Sequence, residues 1–247
     1  MSLFAWIGLA ATTFGAALLQ AAGGFGFAVV AAPIYLMILP PPTAIHLVII
    51  ISASLSAVVL PRLRHAIAPG LLFRLLLGSG AGLPLGLLAF RYSNPAMVRI
   101  VAGATVLGFA GLLALQRAWV RPVGPLSAFH LTRNRDLAAG AVSGAATALV
   151  GMAGPPVLIY LLLAGAGSQA IRATLLAFFA CIYAATLAAH AVTVGVAPQT
   201  WLIALIILPC AVSGGLVGRR LGDRLGADAF ALLAIGLLAI AGLFALL

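Results

Sequence analysis

The chain has almost no negative charge. Its 247 residues include three acids, all of them Asp, and the 13 basic residues are all Arg, because Glu and Lys are absent. Charged residues make up 6% of the chain and hydrophobic residues 64%. A water-soluble domain could not cover its surface with so few charges. The composition therefore predicts an all-α polytopic membrane protein with one integral membrane domain in a lipid bilayer.

The scarcity of acids and cysteines also limits the chemistry. Asp136, Asp223 and Asp228 each lie in or beside an Arg-rich link, so we expect none of them in the membrane core. This argues against a carboxylate cation site, a paired-carboxylate enzyme and an Asp/Glu proton relay, and favours an anionic ligand. Cys181 and Cys210 lie in apolar segments and are interpreted as small buried hydrophobes. We expect no disulfide, metal or cofactor.

The net charge of +10 would suggest a nucleic-acid partner in a soluble protein. Here the Arg residues lie mostly in short links between apolar segments, where the positive-inside rule explains them. No nucleic-acid partner is expected. The apolar stretch that opens at Leu3 has no basic region before it, so we expect it to belong to the mature fold and not to a cleaved signal.

Apolar runs bounded by Arg, Pro and Gly predict ten helical segments in two sets of five, which divide the chain into a first repeat at 1–120 and a second at 121–247. The segments are 3–21, 25–39, 43–61, 70–90, 97–116, 137–150, 155–166, 170–192, 200–218 and 229–247.

Short sequence matches occur in the same order in both halves. Pro33-Ile34-Tyr35-Leu36 matches Leu158-Ile159-Tyr160-Leu161, and Ala44-Ile45-His46 matches Ala170-Ile171-Arg172. The glycine stretch at 82–86 aligns with 214–218, and 110–115 aligns with 241–246. These matches predict an internal duplication.

The charges of corresponding links differ between the halves. The link at 61–74 carries three Arg and one His, whereas its counterpart at 193–200 carries no charge. The link at 91–99 is lightly basic, whereas its counterpart at 219–224 holds three Arg. Swapped charges predict an inverted repeat, since a parallel repeat would place corresponding links on the same side. This topology places both termini outside and all Arg residues except Arg91 and Arg99 in the cytoplasm.

Each half opens with a hydrophobic segment broken by Gly or Pro. The first break is Gly23-Gly24-Phe25-Gly26, and the second is Gly151-Met152-Ala153-Gly154-Pro155-Pro156. Paired breaks at matching positions indicate a transporter's substrate site. The short segments that follow favour two helical hairpins dipping from opposite faces, each followed by three transmembrane helices. Two full crossings joined at each break remain the alternative.

Helices that begin within the membrane present free N–H groups and a positive dipole end to an anion. We expect the two breaks to converge on one midplane anion site, with polar side chains from nearby segments assisting. His46 could carry a coupling proton, and Arg172 could hold an anion by paired hydrogen bonds. The candidate substrate-binding residues are Gln20, Gly23, Gly24, Gly26, His46, Ser52, Thr147, Gly151, Gly154, Pro155, Tyr160, Arg172 and Thr174.

Two other functions remain possible from the residues alone. An anion channel could use the same fold. An intramembrane serine hydrolase could use Ser143 and His190, but Ser143 lacks the first glycine of a nucleophile turn, and His190 is expected at a different depth, near the membrane interface. We therefore expect that the protein is not an enzyme.

Several of these motifs resemble the sulfite exporter TauE/SafE family of membrane permeases. They are the glycine break running to Pro33, the turn Pro41-Pro42-Thr43-Ala44, the second break at 151–156 and the stretch 170–175. Phe25 and Phe27 depart from the pattern because they interrupt its longer glycine run. The resemblance implies a bacterial inner-membrane transporter of sulfite or organosulfonates such as sulfoacetate, often in the outward direction. It leaves the oligomeric state open.

Overall fold

The computed structural model describes residues 1–119, 132–164 and 166–222, which are helical without any strand. Five helices are long and apolar enough to cross a membrane: α1, α3, α4, α8 and α9. The helices of this part of the chain are α1 (Leu3–Gly23), α2 (Phe27–Ile38), α3 (Pro41–Val59), α4 (Pro69–Tyr92), α5 (Pro95–Trp119), α6 (Arg133–Val150), α7 (Gly154–Leu163), α8 (Ser168–Thr193) and α9 (Pro198–Gly222). Two 3₁₀ turns, Leu60–Arg62 and Arg64–Ala66, join α3 to α4.

These nine helices correspond in order to nine of the ten predicted segments. Their ends differ from the predicted ends by four residues or fewer, because Pro, Gly and Arg bound each apolar run. The tenth segment, 229–247, lies outside the described residues, as do Asp223 and Asp228.

Both predicted breaks are present and both begin with a left-handed glycine. Gly24 ends α1 with φ 82°, and Gly151 ends α6 with φ 73°. A residue with a Cβ is strained in this conformation, so glycine permits each helix to stop abruptly. The short helices α2 and α7 follow, and neither has a side-chain hydrogen bond at its N-cap.

Two helix pairs are packed so closely that their backbones touch. A Cβ added at Gly82 or Gly86 of α4 would overlap the carbonyl oxygen of Ala141 or Ala145 of α6. Likewise, a Cβ at Gly214 or Gly218 of α9 would overlap the backbone of Phe14 or Leu18 in α1. Small residues commonly permit such approaches between membrane helices. In both pairs the residue numbers rise together, so the paired helices are parallel.

The remaining contacts give the direction of the other long helices. His46 contacts His190 and Ser52 approaches Tyr183, so α3 and α8 are antiparallel. Near the end of α3, Ser56 bonds Gln20 of α1 and Leu55 faces Gly215 of α9. Helices α1, α3 and α9 therefore end on one side of the molecule.

Helices α4, α6 and α8 end on the opposite side, where Phe90 of α4 and Ala148 of α6 lie against His190 of α8. We name the first side the Arg-rich end and the second the Arg-poor end. Arg91 and Arg99 lie at the Arg-poor end, at the α4–α5 turn. The Arg-rich end carries Arg62, Arg64, Arg74, Arg133, Arg135, Arg172, Arg219 and Arg220.

Each short helix folds back against the helix before it. The Tyr35 hydroxyl of α2 lies 2.6 Å from the Thr13 hydroxyl of α1. The Tyr160 hydroxyl of α7 donates to the Asp136 carboxylate of α6. Tyr35 and Tyr160 are the matching tyrosines of the two halves, so each one ties its short helix to the first helix of its own half.

Candidate functional site

The polar centre of the molecule lies midway along the antiparallel pair α3 and α8. The chain passes from Gly151 to Gly154 along this pair, so that Gly154, the first residue of α7, lies beside Phe179. Just before it, the Ala153 N–H points to the Tyr183 hydroxyl at 3.4 Å. The positive end of the α7 dipole is thus placed inside the protein, at the middle of α8.

Ser52 is the unusual side chain of this centre. It is fully buried in α3, and its Oγ has no hydrogen-bond partner of good geometry among the described residues, although it approaches the Tyr183 hydroxyl. A buried hydroxyl without a partner costs about 1–3 kcal/mol. Such a group next to an uncapped helix start is typical of a site that a ligand completes.

The first break lies against the other half of the protein, at the Arg-rich end. Gly24 packs on Arg172 so closely that a Cβ would overlap the Arg172 backbone. Arg172 Nη2 donates to the Ala21 carbonyl at 2.9 Å, while its buried Nε has no partner among the described groups. Gln20 donates to Ser56 at 3.0 Å. Arg172 thus caps the end of α1, and its Nε–H is available to donate a further hydrogen bond.

The second break lies at the opposite end of the α3–α8 pair. Gly151 faces Ile45 and Val48, next to His46, just as Gly24 faces Arg172. His46 and Arg172 occupy matching places in the two halves, so each lies at the break of the other half. Arg172 and His190 are 18 residues apart on α8, about 27 Å at the helical rise of about 1.5 Å per residue. The two glycine links therefore approach the α3–α8 pair from opposite ends, and the helix start that follows Gly151 reaches its middle.

The candidate residues from the sequence therefore lie at three depths along the α3–α8 pair: the Arg-rich end, the centre and the Arg-poor end. Gly23, Gly26 and Thr174 belong to the segments around the first break or the start of α8. Ser52, Gly154 and Pro155 lie at the centre, and Tyr160 lies at the Arg-rich end. Thr147 donates to the Ser143 carbonyl within α6. Thr147 and Thr174 are both buried.

His190 was expected near the membrane interface, and it lies near the end of α8, at the Arg-poor end. Its side chain is fully buried there, with Nδ1 3.0 Å from His46 Nε2 and Nε2 3.0 Å from the Ala148 carbonyl. Ser143 donates its hydroxyl to the Ala153 carbonyl. Each side chain is thus engaged elsewhere, and the Ser143–His190 pairing required by a serine hydrolase is not formed among the described residues.

Asp136 was expected in or beside an Arg-rich link, outside the membrane core. It lies in the first turn of α6 at the Arg-rich end, and the structure buries its side chain completely in the protein. Its carboxylate forms an ion pair with Arg74 of α4 and accepts the Tyr160 hydroxyl. Asp136 lacked a local signal because its two partners are 62 and 24 residues away along the chain.

The hydrogen bonds of Tyr35 to Thr13 and of Tyr160 to Asp136 should differ in strength, and this difference is testable. We expect Tyr160→Phe to lower the free energy of unfolding by about 1.5–3 kcal/mol, since it removes a hydrogen bond to a charged group. Tyr35→Phe should cost about 1 kcal/mol, because Thr13 still donates to the Leu9 carbonyl. Thermal unfolding of the two purified variants measures this difference, and equal losses would contradict it.

Comparison with known proteins identifies the family. The model of the family described as "TauE: Sulfite exporter TauE/SafE" matches residues 9–245, nearly the whole chain. No curated protein and no solved structure matches. The expected anion preference, the multi-pass helical fold and the transport role agree with a membrane transporter of this kind. The chain therefore belongs to the sulfite exporter TauE/SafE family.

Proposed function

We propose that the protein is a secondary transporter that exports small anions, sulfite or organosulfonates such as sulfoacetate, by alternating access. The observation that carries the proposal is the uncapped start of α7 near the buried Ser52 hydroxyl, which has no hydrogen-bond partner of good geometry among the described residues. Family membership supports the class of substrate. The bound anion would lie at the centre of the α3–α8 pair.

The chemistry of this centre suits an anion. Pro155 and Pro156 have no N–H and the Ala153 N–H points to the Tyr183 hydroxyl, so the first turn of α7 offers its dipole and the amide of Gly154. The Ser52 hydroxyl can donate a further hydrogen bond. Asp136, the acid in the described part of the chain, lies at the Arg-rich end, away from this centre. An anion would therefore meet donors there without a competing carboxylate.

The helix packing supports two inverted repeats. The α4–α6 contact through Gly82 and Gly86 corresponds to the α9–α1 contact through Gly214 and Gly218, with the two halves exchanged. The first, third and fourth helices of one half run opposite to their counterparts in the other. This relation is what an inverted duplication produces. The α1–α9 and α4–α6 pairs would then rock about the α3–α8 pair to expose the centre to either side.

The charge distribution supports one orientation. The Arg-rich end would face the cytoplasm of a bacterial inner membrane, and the Arg-poor end with Arg91 and Arg99 would face outward. Export would begin when an anion is drawn to the cationic cytoplasmic end, where Arg172 has a spare donor beside the first break. Protons are the coupling ion that the buried histidines favour.

Replacing Ser52 tests the central site. We expect Ser52→Ala to reduce saturable uptake of radiolabelled sulfite into proteoliposomes by about tenfold to a hundredfold, the value of a hydrogen bond to a charged group. Its thermal stability should be unchanged or higher, since the lost hydroxyl makes no hydrogen bond of good geometry with the described residues. Ser54→Ala is the matched control, because Ser54 bonds only to the Ile50 carbonyl within its own helix.

Three outcomes would contradict the proposal. Equal flux in the Ser52→Ala and Ser54→Ala proteins would show that Ser52 does not bind the transported anion. The absence of any saturable flux of sulfite or sulfoacetate in the wild type would refute the proposed transport function. Flux that never saturates would indicate an anion channel on the same fold.

A further inference from the structure

A pocket at the Arg-poor end lies outside the proposed central site. It has a volume of about 430 Å³ and lies where the first turns of α3 and α9 meet the α8–α9 link. We name it the outer pocket. Its lining residues are Pro42, Thr43, His46, Val194, Gly195, Val196, Ala197 and Thr200. Two helix N-termini thus direct their positive dipole ends at one space.

Thr200 is a second, independent feature of this pocket, because it is a lining residue with a buried hydroxyl. Its side chain is fully buried, and Oγ1 has no hydrogen-bond partner among the described groups. The other helix donors at the pocket are few, because Pro41, Pro42 and Pro198 have no N–H. The Thr200 hydroxyl is therefore available to donate a hydrogen bond to a ligand in the pocket.

The histidine pair beside the pocket has a defined proton arrangement. A carbonyl can only accept, so His190 Nε2 must carry the hydrogen that points to Ala148. Neutral His190 then accepts at Nδ1, and the proton of this hydrogen bond must come from His46 Nε2. His46 Nδ1 is left as the bare nitrogen of the pair. A further proton can bind there without breaking either hydrogen bond.

Few other charges act on the pair. The described neighbours contribute the Phe90 ring from α4, the Ala148 carbonyl from α6 and Thr200 from α9. The described charged or titratable side chains on the surrounding helices are exposed, bonded elsewhere, at the Arg-rich end or, for Cys210, midway along α9: Arg91, Tyr92, Arg99, Tyr35, Tyr183, Cys181, Cys210, Arg74, Arg133, Arg135, Asp136, Tyr160, Arg172, Arg219 and Arg220. Among the described residues, an added proton at His46 therefore has no carboxylate beside it to balance its charge.

We propose that the outer pocket is a second anion site in which an anion and a proton bind together, the anion at Thr200 and the proton at His46. The anion supplies the negative charge that the protonated histidine lacks, and the histidine gains a donor for the anion. Each ligand therefore strengthens the binding of the other. A small oxyanion such as a sulfonate fits the size and the donors of the pocket. This site goes beyond the proposed central site and does not depend on it.

Proton uptake during anion binding tests the inference. Methanesulfonate is a suitable probe, because it stays a monoanion over the range in which histidine titrates. Calorimetry on the purified full-length protein, in two buffers of different ionisation enthalpy, measures the protons taken up per anion bound. We expect uptake of up to one proton, and affinity that rises as the pH falls from about 7.5 to 5.5, by at most about tenfold per pH unit for one linked proton.

Variants separate the two sites and the two roles. Ser52→Ala should retain both the outer-pocket binding and its proton uptake. His46→Gln, which can still donate to His190, should bind the probe without proton uptake. Thr200→Val should weaken binding about tenfold to hundredfold, as expected for one lost hydrogen bond to a charged group. Thr193→Val is the control, because exposed Thr193 bonds the Ala189 carbonyl of its own helix.

The inference is overturned if binding takes up no proton, if His46→Gln leaves the uptake intact, or if Thr200→Val binds as the wild type does. It is also overturned if methanesulfonate does not bind to a protein that transports sulfite; the proposed function would then stand. Conversely, proton-linked binding without any sulfite flux would refute the proposed function and leave the outer pocket established.

Discussion

Gly82→Ala is expected to prevent stable folding, whereas Gly80→Ala in the same helix is expected to be harmless. A Cβ at Gly82 would overlap the carbonyl oxygen of Ala141, and a backbone atom cannot rotate away as a side chain can. Overpacking of a core usually costs about 1–3 kcal/mol, and we expect a larger loss here because α4 and α6 must separate along their length. In the part of the chain that the structure describes, no atom lies within 4 Å of the Cβ position of Gly80.

The Gly80→Ala control separates the effect of the close helix contact from the effect of alanine in the helix. Alanine is a better helix former than glycine by about 1 kcal/mol, so Gly80→Ala should leave stability unchanged or raise it. Folded yield after solubilisation, by size-exclusion chromatography, and the melting temperature both report the difference. If the two variants behave alike, the close α4–α6 contact is refuted. Gly218→Ala offers the same test for the α1–α9 contact, since its Cβ would overlap the Leu18 backbone.

The sequence predicted the helices and their breaks because both depend on local chemistry. Apolar runs long enough to span a bilayer, ended by Pro and Arg, indicate where α3 and α4 begin and end. Gly24 and Gly151 could be recognised because a left-handed residue must end a helix where the chain turns back. The matching of Gly82 and Gly86 with Gly214 and Gly218 was visible for a similar reason, since close helix packing tolerates only small residues.

The pairing of distant residues could not be predicted in this way. His46 and His190 are 144 positions apart, and nothing near His190 distinguishes a buried partner from an interfacial residue. Ser52 resembles any helix serine until its lack of a partner is known. The depth of each break along the α3–α8 pair also depends on tertiary contacts. The position of Gly24 or Gly151 in the sequence does not determine where along α3 and α8 that glycine packs.

Asp136 shows most clearly what such pairing does to stability. An acid at the start of α6 looks like a solvated link residue in the sequence, but in the fold it joins three helices. Arg74 reaches it from α4 and Tyr160 from α7, while α6 carries it in its first turn, where a negative charge also favours the helix dipole. The short helix α7, whose other end forms the proposed anion site, is therefore held at the Arg-rich end by one carboxylate.

Removing Arg74 should therefore be far more damaging than removing Asp136. The Asp136 side chain is 0% exposed and that of Arg74 is 35% exposed. Arg74→Met leaves a fully buried carboxylate without its counter-ion, and we expect a loss of about 3–5 kcal/mol in unfolding free energy. Asp136→Asn leaves an arginine that can reach water, so its cost should be clearly smaller.

The double variant distinguishes an unpaired charge from a general loss of packing. Arg74→Met combined with Asp136→Asn removes both charges and keeps an acceptor for Tyr160, so stability should recover most of what Arg74→Met loses. Arg62→Met is the control, because it removes an exposed charge from the same end of the molecule. The melting temperatures of the four variants and the wild type measure the coupling. Additive losses in the double variant would show that Arg74 acts through its hydrocarbon stem and not through its charge.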